Sequence, residues 1–562
     1  MWSKNQRITI IFITCIIALI LSAASKSAAK VEELEARLLE EAALAAVEEQ
    51  FPGRTPEESA EIWAWAHQLV EEWYERYKVI KAEKEADDKA IASYKYIKKE
   101  QSEYSRIIYS STHKQYTKIG DPSKAKPTRT LSMLTGWAES NWSKFTYEED
   151  EWGGFKIASM KQKATGYFYV KKINGRWWYI DPLGYPYFCM GTTAMGYAYG
   201  NLNQEKAALN RYGTLAERAI AAVREYKDEL GFNSTTIWSE GHSHLRDVYD
   251  TVTYSASLRI VSTYESKLGA KDPTPSGSCL VLYGMHVFDP DFPAHCDSRV
   301  KADCYPNRLA DPYFMGFYLD NEIPTNEDML DEFLTLDIKE LKINYYSYAA
   351  AWTFLAHETG KPNPTLEDAK NYELRDLFRG FVYDRLYAAA VPAIRKYAPS
   401  ALVMGNRALS TQRNSEWMTR MVGYHSDVIS HNWYHQVTPL AEQLNQMSLW
   451  CDKPMMVTEW FVSSDENEGN FQNGTTNIVP IVQTQVDRGA QYQNYTLRML
   501  ECQNMVGWHW YRYIDRNDIT EDGKQSNQGI YSSNHNLYEE FAEYVAEINR
   551  NAYALALYFD QR

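Results

Sequence analysis

From about residue 187 onward, short apolar runs alternate with longer helical stretches, and this alternation constrains the fold more than any other feature of the chain. Eight runs, at 188–190, 234–238, 280–283, 314–319, 402–405, 428–430, 455–458 and 506–510, read as strands. Stretches such as "EDMLDEFLTLDIKELK" and "LRDLFRGFVYDRLYAAAVPAIRKYA" lie between most of them. Parallel strands need long crossover connections, so eight such units predict an α/β fold, a (β/α)8 TIM barrel over 187–562. An open doubly wound sheet is the alternative, but no GxGxxG follows any of the runs, so its dinucleotide-binding form lacks support.

Barrel enzymes place their chemistry at the C-terminal ends of the strands, and here those ends are polar and aromatic. They carry Trp238, Ser239 and Glu240 after the second run, His286 after the third, and Asp320, Asn321 and Glu322 after the fourth. Asn406 and Arg407 follow the fifth; His431, Asn432, Trp433 and Tyr434 the sixth; Glu459 and Trp460 the seventh; His509, Trp510 and Arg512 close the eighth. In "MGFYLDNEIPT" a run fit for a buried strand ends abruptly in two acids and an amide. An unpaired carboxylate is costly to bury, so these groups belong where the strand opens onto a cleft.

Glu322 and Glu459 stand at the ends of the fourth and seventh strands, across the mouth from one another. A lone glutamate at such a place is most often a salt-bridged loop residue; two on facing strands are what glycoside hydrolysis requires. One carboxylic acid protonates the leaving oxygen while the other attacks the anomeric carbon, and retention needs the pair roughly 5–5.5 Å apart. The acid must stay protonated at rest, and the charge of Glu459 is expected to hold the proton on Glu322. Tyr434 is expected to donate to Glu459, and Trp510 to form a floor for a sugar ring, with Trp238, Trp433 and Trp460 beside it. His286, His431, His509, Asn406 and Arg407 are expected to bond sugar hydroxyls. No HExxH or comparable ligand set is present, so neither metal nor cofactor is expected.

Five segments, "GYFYVKKINGRWWYIDPLGYPYF", "GFYLDNE", "VTEW", "VQTQVDRGAQYQNY" and "VGWHWYRYID", together resemble family 50 of the glycoside hydrolases, the β-agarases. The Asn-Glu and Glu at strands four and seven resemble the retaining barrel glycosidases of clan A. The resemblance implies Glu322 as acid/base, Asn321 on the sugar 2-hydroxyl and Glu459 as nucleophile. It implies a galactan-type polysaccharide or its oligosaccharides as substrate, with a β-galactosidase, a β-glucanase or a non-catalytic glycan-binding barrel as alternatives. The segment "FVSSDENEGNF" after Glu459 departs from the expected agarase loop, and no β-sandwich carbohydrate-binding module precedes the barrel.

The formal net charge of −15 argues against nucleic acid as a partner. "MWSKNQR", an apolar run of about 17 residues and Ser22-Ala23-Ala24 describe a signal peptide over 1–24, or an uncleaved membrane anchor, so the chain reads as exported to the periplasm or exterior. Residues 31–119 are rich in Ala, Glu, Lys and Leu and read as helical, packed on the main domain. Residues 131–186 contain a β-hairpin with Asn174-Gly175 at its turn. The seven cysteines show no CxxC spacing; Cys296 and Cys304 are the first pair to test for a disulfide. Nothing in the sequence assigns an oligomeric state.

Overall fold

The computed structural model describes residues 51–90, 105–108, 125–195, 202–239, 252–268, 286–323, 325–339, 344–434, 436–469, 480–515 and 527–562. At its centre lie eight parallel strands, numbered one to eight in chain order. They are Cys189–Thr192, Ser234–Thr235, Thr253–Ser257, Phe314–Tyr318, Leu402–Val403, Ile429–Asn432, Met455–Glu459 and Met505–Trp510. They lie in the order five-four-three-two-one-eight-seven-six. Strand one is thus paired with both two and eight, the order of a TIM-like barrel. Between strands five and six the ladder shrinks to one parallel bridge, Ala408 with His431. Four backbone bonds run alongside it: Asp427 N and Val428 N to Val403 O at 2.9 and 3.1 Å, Ala408 N to Ser430 O at 3.0 Å and Asn432 N to Ala408 O at 2.9 Å.

Strand three corrects the sequence expectation. The run at 280–283 falls outside the described residues, and the third place in the sheet is taken by "TYSAS" at Thr253–Ser257. Its small hydroxylated side chains hide the strand from a hydrophobicity reading, but they suit a crowded interior. Gly316 on strand four shows the crowding: a Cβ there would lie 2.2 Å from the Leu402 carbonyl oxygen.

Of three clusters of buried side chains among the described residues, two divide the barrel core. Met315, Tyr318, Met404, Met456 and Val506 lie with Tyr179 and Tyr187, while Phe314, Phe317 and Leu319 join the larger cluster under the helices. Tyr179 and Tyr187 come from a three-stranded antiparallel sheet, Tyr169–Ile173, Arg176–Ile180 and Pro186–Tyr187. Its hairpin turns at Asn174 and Gly175, both left-handed. Trp177 bonds through its backbone N to Gln503 O at 2.8 Å and through Nε1 to Asp452 at 2.9 Å, just ahead of strands eight and seven. The hairpin therefore covers the end where the strands begin and leaves the opposite mouth free.

The helix Pro56–Ala90 is built into the outer layer. Trp73 is fully buried against Phe354 and Phe381, and Arg76 makes a forked contact with the buried Asp384, Nη2 to Oδ2 at 2.6 Å. Further on, Ser105–Ile108 is a strand paired with Ala125–Thr128, where helix was expected; its β-branched Ile107 and Ile108 explain the change. The five described cysteines are free, and no Cys296–Cys304 disulfide forms. The helix Phe292–Asp303 holds them two turns apart, a rise of about 12 Å, beyond the reach of an S–S bond. The expected export segment lies outside the described residues, among which no helix is long and apolar enough to cross a membrane.

Candidate active site

The chain beyond strand four stays tied to the chain beyond strand five, through Leu319 N to Gly405 O at 2.9 Å and Glu322 N to Asn406 O at 3.3 Å. Asn432 and Glu459 are register partners on strands six and seven. Four strand ends thus converge, and the wholly buried Arg407 links them. Its Nε donates to Asn321 Oδ1 at 2.8 Å, and its Nη2 donates to Glu459 Oε1. The Tyr434 hydroxyl donates to Glu459 Oε2 at 2.6 Å, and Trp238 Nε1 reaches Oε1 at 3.4 Å. Both oxygens of Glu459 accept, the pattern of an ionised carboxylate.

Glu322 has different company. Asn432 Nδ2 donates to its Oε1 at 2.6 Å and lies 3.3 Å from Asn321 Oδ1. Asn432 is itself aimed by the Thr458 hydroxyl, which donates to its Oδ1 at 2.8 Å. Glu322 remains partly open to the cleft, yet its pKa is pushed up to about 7. Burial of the carboxyl is the larger cause and the charge of Glu459 the second, while Asn432 and Arg407 pull the other way. The neighbouring charge therefore assists burial rather than leading it, contrary to the sequence expectation. Asn321 uses its oxygen on Arg407 and Asn432; among the described residues its amide nitrogen donates to nothing.

The backbone is unusual along this rim. Ala194, Trp238, Arg259, Glu322 and Arg407, one after each of strands one to five, all have φ between 50° and 65°. Left-handed backbone outside glycine is disfavoured and clusters where function holds it in place.

The other sequence-predicted site residues sit elsewhere. Strand alternation turns Asn406 outward, where it bonds Tyr383 and Tyr387 on the helix Tyr372–Tyr397. His431 also faces outward, beside Tyr383 and Met418, and burial holds its pKa down at about 3. Trp433 bonds Gln436 under the Arg413 guanidinium. Trp460 stacks on Tyr495 at 3.9 Å, and Trp510 is wholly buried against Trp460, Arg488 and Phe541 rather than flooring the cleft. His509 lies inside the barrel, 3.5 Å from Cys189 Sγ, its pKa driven down by burial. His286 spans Glu265 and Asn344 within the protein, at 2.7 and 3.0 Å. Asn432, named only as a strand-six end, and Thr458 are the contributors to which the sequence reading gave no role. Among the described residues no group of three His, Cys, Asp or Glu side chains is placed to hold a metal.

A TIM-like barrel with paired glutamates at its mouth has the architecture of a glycoside hydrolase. The particular likeness is to the β-agarases. The chain is 22% identical to beta-agarase B of Vibrio sp. (strain JT0107) over 491 residues, covering 70% of this chain and 49% of that one. It is 26% identical to beta-agarase A of the same strain over 168 residues, 29% and 16% of the two chains. It thus spans about half the length, or less, of the curated relatives it matches. Among solved structures, BpGH50 superposes with a TM-score of 0.68 at 24% identity, covering 83% of this chain and 99% of that one. The agarase AgWH50C gives 0.58 at 17% identity, covering 75% and 69%. No protein-family model matches the chain. At these identities the structural likeness establishes the fold.

Proposed function

We propose that this chain is a retaining glycoside hydrolase of clan A that cleaves β-glycosidic bonds in an agarose-type galactan or its oligosaccharides. Glu322 is the acid/base, Glu459 the nucleophile and Asn321 the holder of the sugar 2-hydroxyl. What carries the reading is the opposite treatment of the two glutamates: Glu459 accepts from Arg407 and Tyr434, while burial holds Glu322 toward its protonated form. Pairs of carboxyls set apart in this way divide the roles of nucleophile and acid.

In the first step Glu459 attacks the anomeric carbon as the glycosidic C–O bond breaks, and the Glu322 proton passes to the departing oxygen. In the second, the Glu322 carboxylate takes a proton from water as that water displaces Glu459, which restores both side chains. Asn321 donates its free amide N–H to the 2-hydroxyl, a bond that tightens as positive charge builds at the reacting carbon. The likeness to β-agarases supports the galactan, and the basic, apolar N-terminus adds export to the same proposal.

Incubation of the whole chain with agarose oligosaccharides, followed by proton NMR of the first product formed, tests this directly. The β-anomer should appear first and then mutarotate. Initial appearance of the α-anomer would mean inversion, and an unchanged spectrum would remove the hydrolase reading.

A further inference from the structure

Arg259 stands at the end of strand three. Its backbone is left-handed, with φ 50°, and its side chain is exposed. The guanidinium carbon lies 5.0 Å from the ring centroid of Trp238, and the indole Nε1 of Trp238 is 3.4 Å from Glu459 Oε1. A fixed positive charge is therefore set one aromatic ring away from a reacting carboxylate. Among the described residues no group accepts a hydrogen bond from this guanidinium. Asp320, beyond strand four, feels the Arg259 charge, which pulls its pKa down against burial, but its Oδ2 accepts from Val261 N at 2.5 Å, at the start of the helix Ile260–Lys267.

Charge around the site repeats the pattern. Arg407 is ion-paired with Glu459, whereas Arg259 has no ion pair among the described residues, and burial raises Asp320 and Glu322 to about 7 each. A neutral polymer needs hydroxyl acceptors and ring faces; a guanidinium stacked at the mouth with no hydrogen-bond acceptor among the described residues matches a ligand whose oxygens carry negative charge.

We propose that Arg259, held on Trp238, forms a subsite for an anionic substituent, a sulfate ester or a carboxylate, on a sugar adjoining the scissile bond, so that an agarose-type chain bearing such a substituent is bound in preference to an unsubstituted one. This rests on the hydrolase reading and deepens it. The planar fork of arginine offers parallel N–H donors to two oxygens of either anion, which lysine does not reproduce.

Calorimetric titration of the whole chain with three galactose-based oligosaccharides of equal length, one neutral, one sulfated and one bearing a uronic acid, tests the proposal. Wild type should bind one charged ligand ~10-fold more tightly than the neutral one, a preference that weakens with added salt. Whichever charged arm wins names the anion. Arg259→Met, which keeps an apolar stem on the indole, should bring charged and neutral ligands within about 2-fold, and Arg259→Lys should restore only part of the preference. Equal binding of all three ligands by wild type, or a preference that survives Arg259→Met, overturns the subsite. Because binding is read without turnover, a chain that prefers the charged ligand yet cleaves nothing overturns the hydrolase reading alone.

Discussion

Asn432 and Glu459 are register partners on adjacent strands, yet Asn432 turns its amide away from that glutamate and donates to Glu322, 2.6 Å off. One strand pair thus carries Glu459 and steers Glu322.

Removing that hydrogen bond should move the acid's titration. A hydrogen bond donated to the ionised form of Glu322 lowers its pKa, so Asn432→Ala should raise it above about 7. The basic limb of the pH–rate profile should shift upward while kcat falls on the order of 10-fold. A limb that stays in place or moves down contradicts the assignment of Glu322 as the proton donor.

Glu459 acts on Glu322 less than burial does, which sets a limit on its variants. In Glu459→Gln the Glu322 carboxyl, followed by carbon-13 NMR, should titrate lower than in wild type yet above the ordinary value of about 4.3. A return to that value would put the neighbouring charge, not burial, in the leading role.

The two glutamates should answer azide differently. Glu459→Ala should lose turnover of good and poor leaving groups alike, and azide should restore product of inverted configuration. Glu322→Ala should keep the first step on an activated aryl glycoside, with azide accelerating release of product of retained configuration. Exchange of the two stereochemical outcomes would exchange the roles.

His286 should matter to stability rather than to substrate. Both ring nitrogens face acceptors, Glu265 and the Asn344 carbonyl, so the ring is suited to carry both protons. Burial is the largest single influence and lowers its pKa, but the hydrogen bond and charge of Glu265, with Asn344 and Asp289, together raise it. The stabilisation is thus full below about pH 6.5, where an unfolded histidine titrates, and fades as pH rises through the folded value. The Tm advantage of wild type over His286→Gln should be large at pH 6 and shrink by pH 8.5. A pH-independent advantage, joined to a several-fold rise in KM, would return His286 to the substrate.

The helix Pro56–Ala90 should prove integral. Arg76→Met leaves Asp384 buried with only His425 beside it, at 2.8 Å, and should cost about 2 kcal/mol by chemical denaturation, in a single transition with the barrel. A separate, earlier transition would make that helix an independent module.

Most of the strand ladder was legible because seven of its members overlap the short runs read as strands; strand three was not, since Thr253–Ser257 packs through small hydroxyl and methyl groups. The paired glutamates were legible as acids ending apolar strands. The facing of their neighbours was not. Strands six and seven carry register shifts at His431/Asn432 and at Met455/Met456, and a shift of one residue exchanges inside for outside. That is why Asn432 was given no role while His431 and Trp510 were credited. Charge posed the same difficulty at Arg259, which shows its meaning only when Trp238 is seen beneath it.

The left-handed turns at Ala194, Trp238, Arg259, Glu322 and Arg407 set heat tolerance against chemistry at the same five φ angles. Each costs on the order of 1 kcal/mol that glycine would not incur. Selection of variants for survival at high temperature should therefore drift toward glycine along this rim, and each step would erase a side chain from the cleft. A hardier descendant of this barrel would be a blunter one.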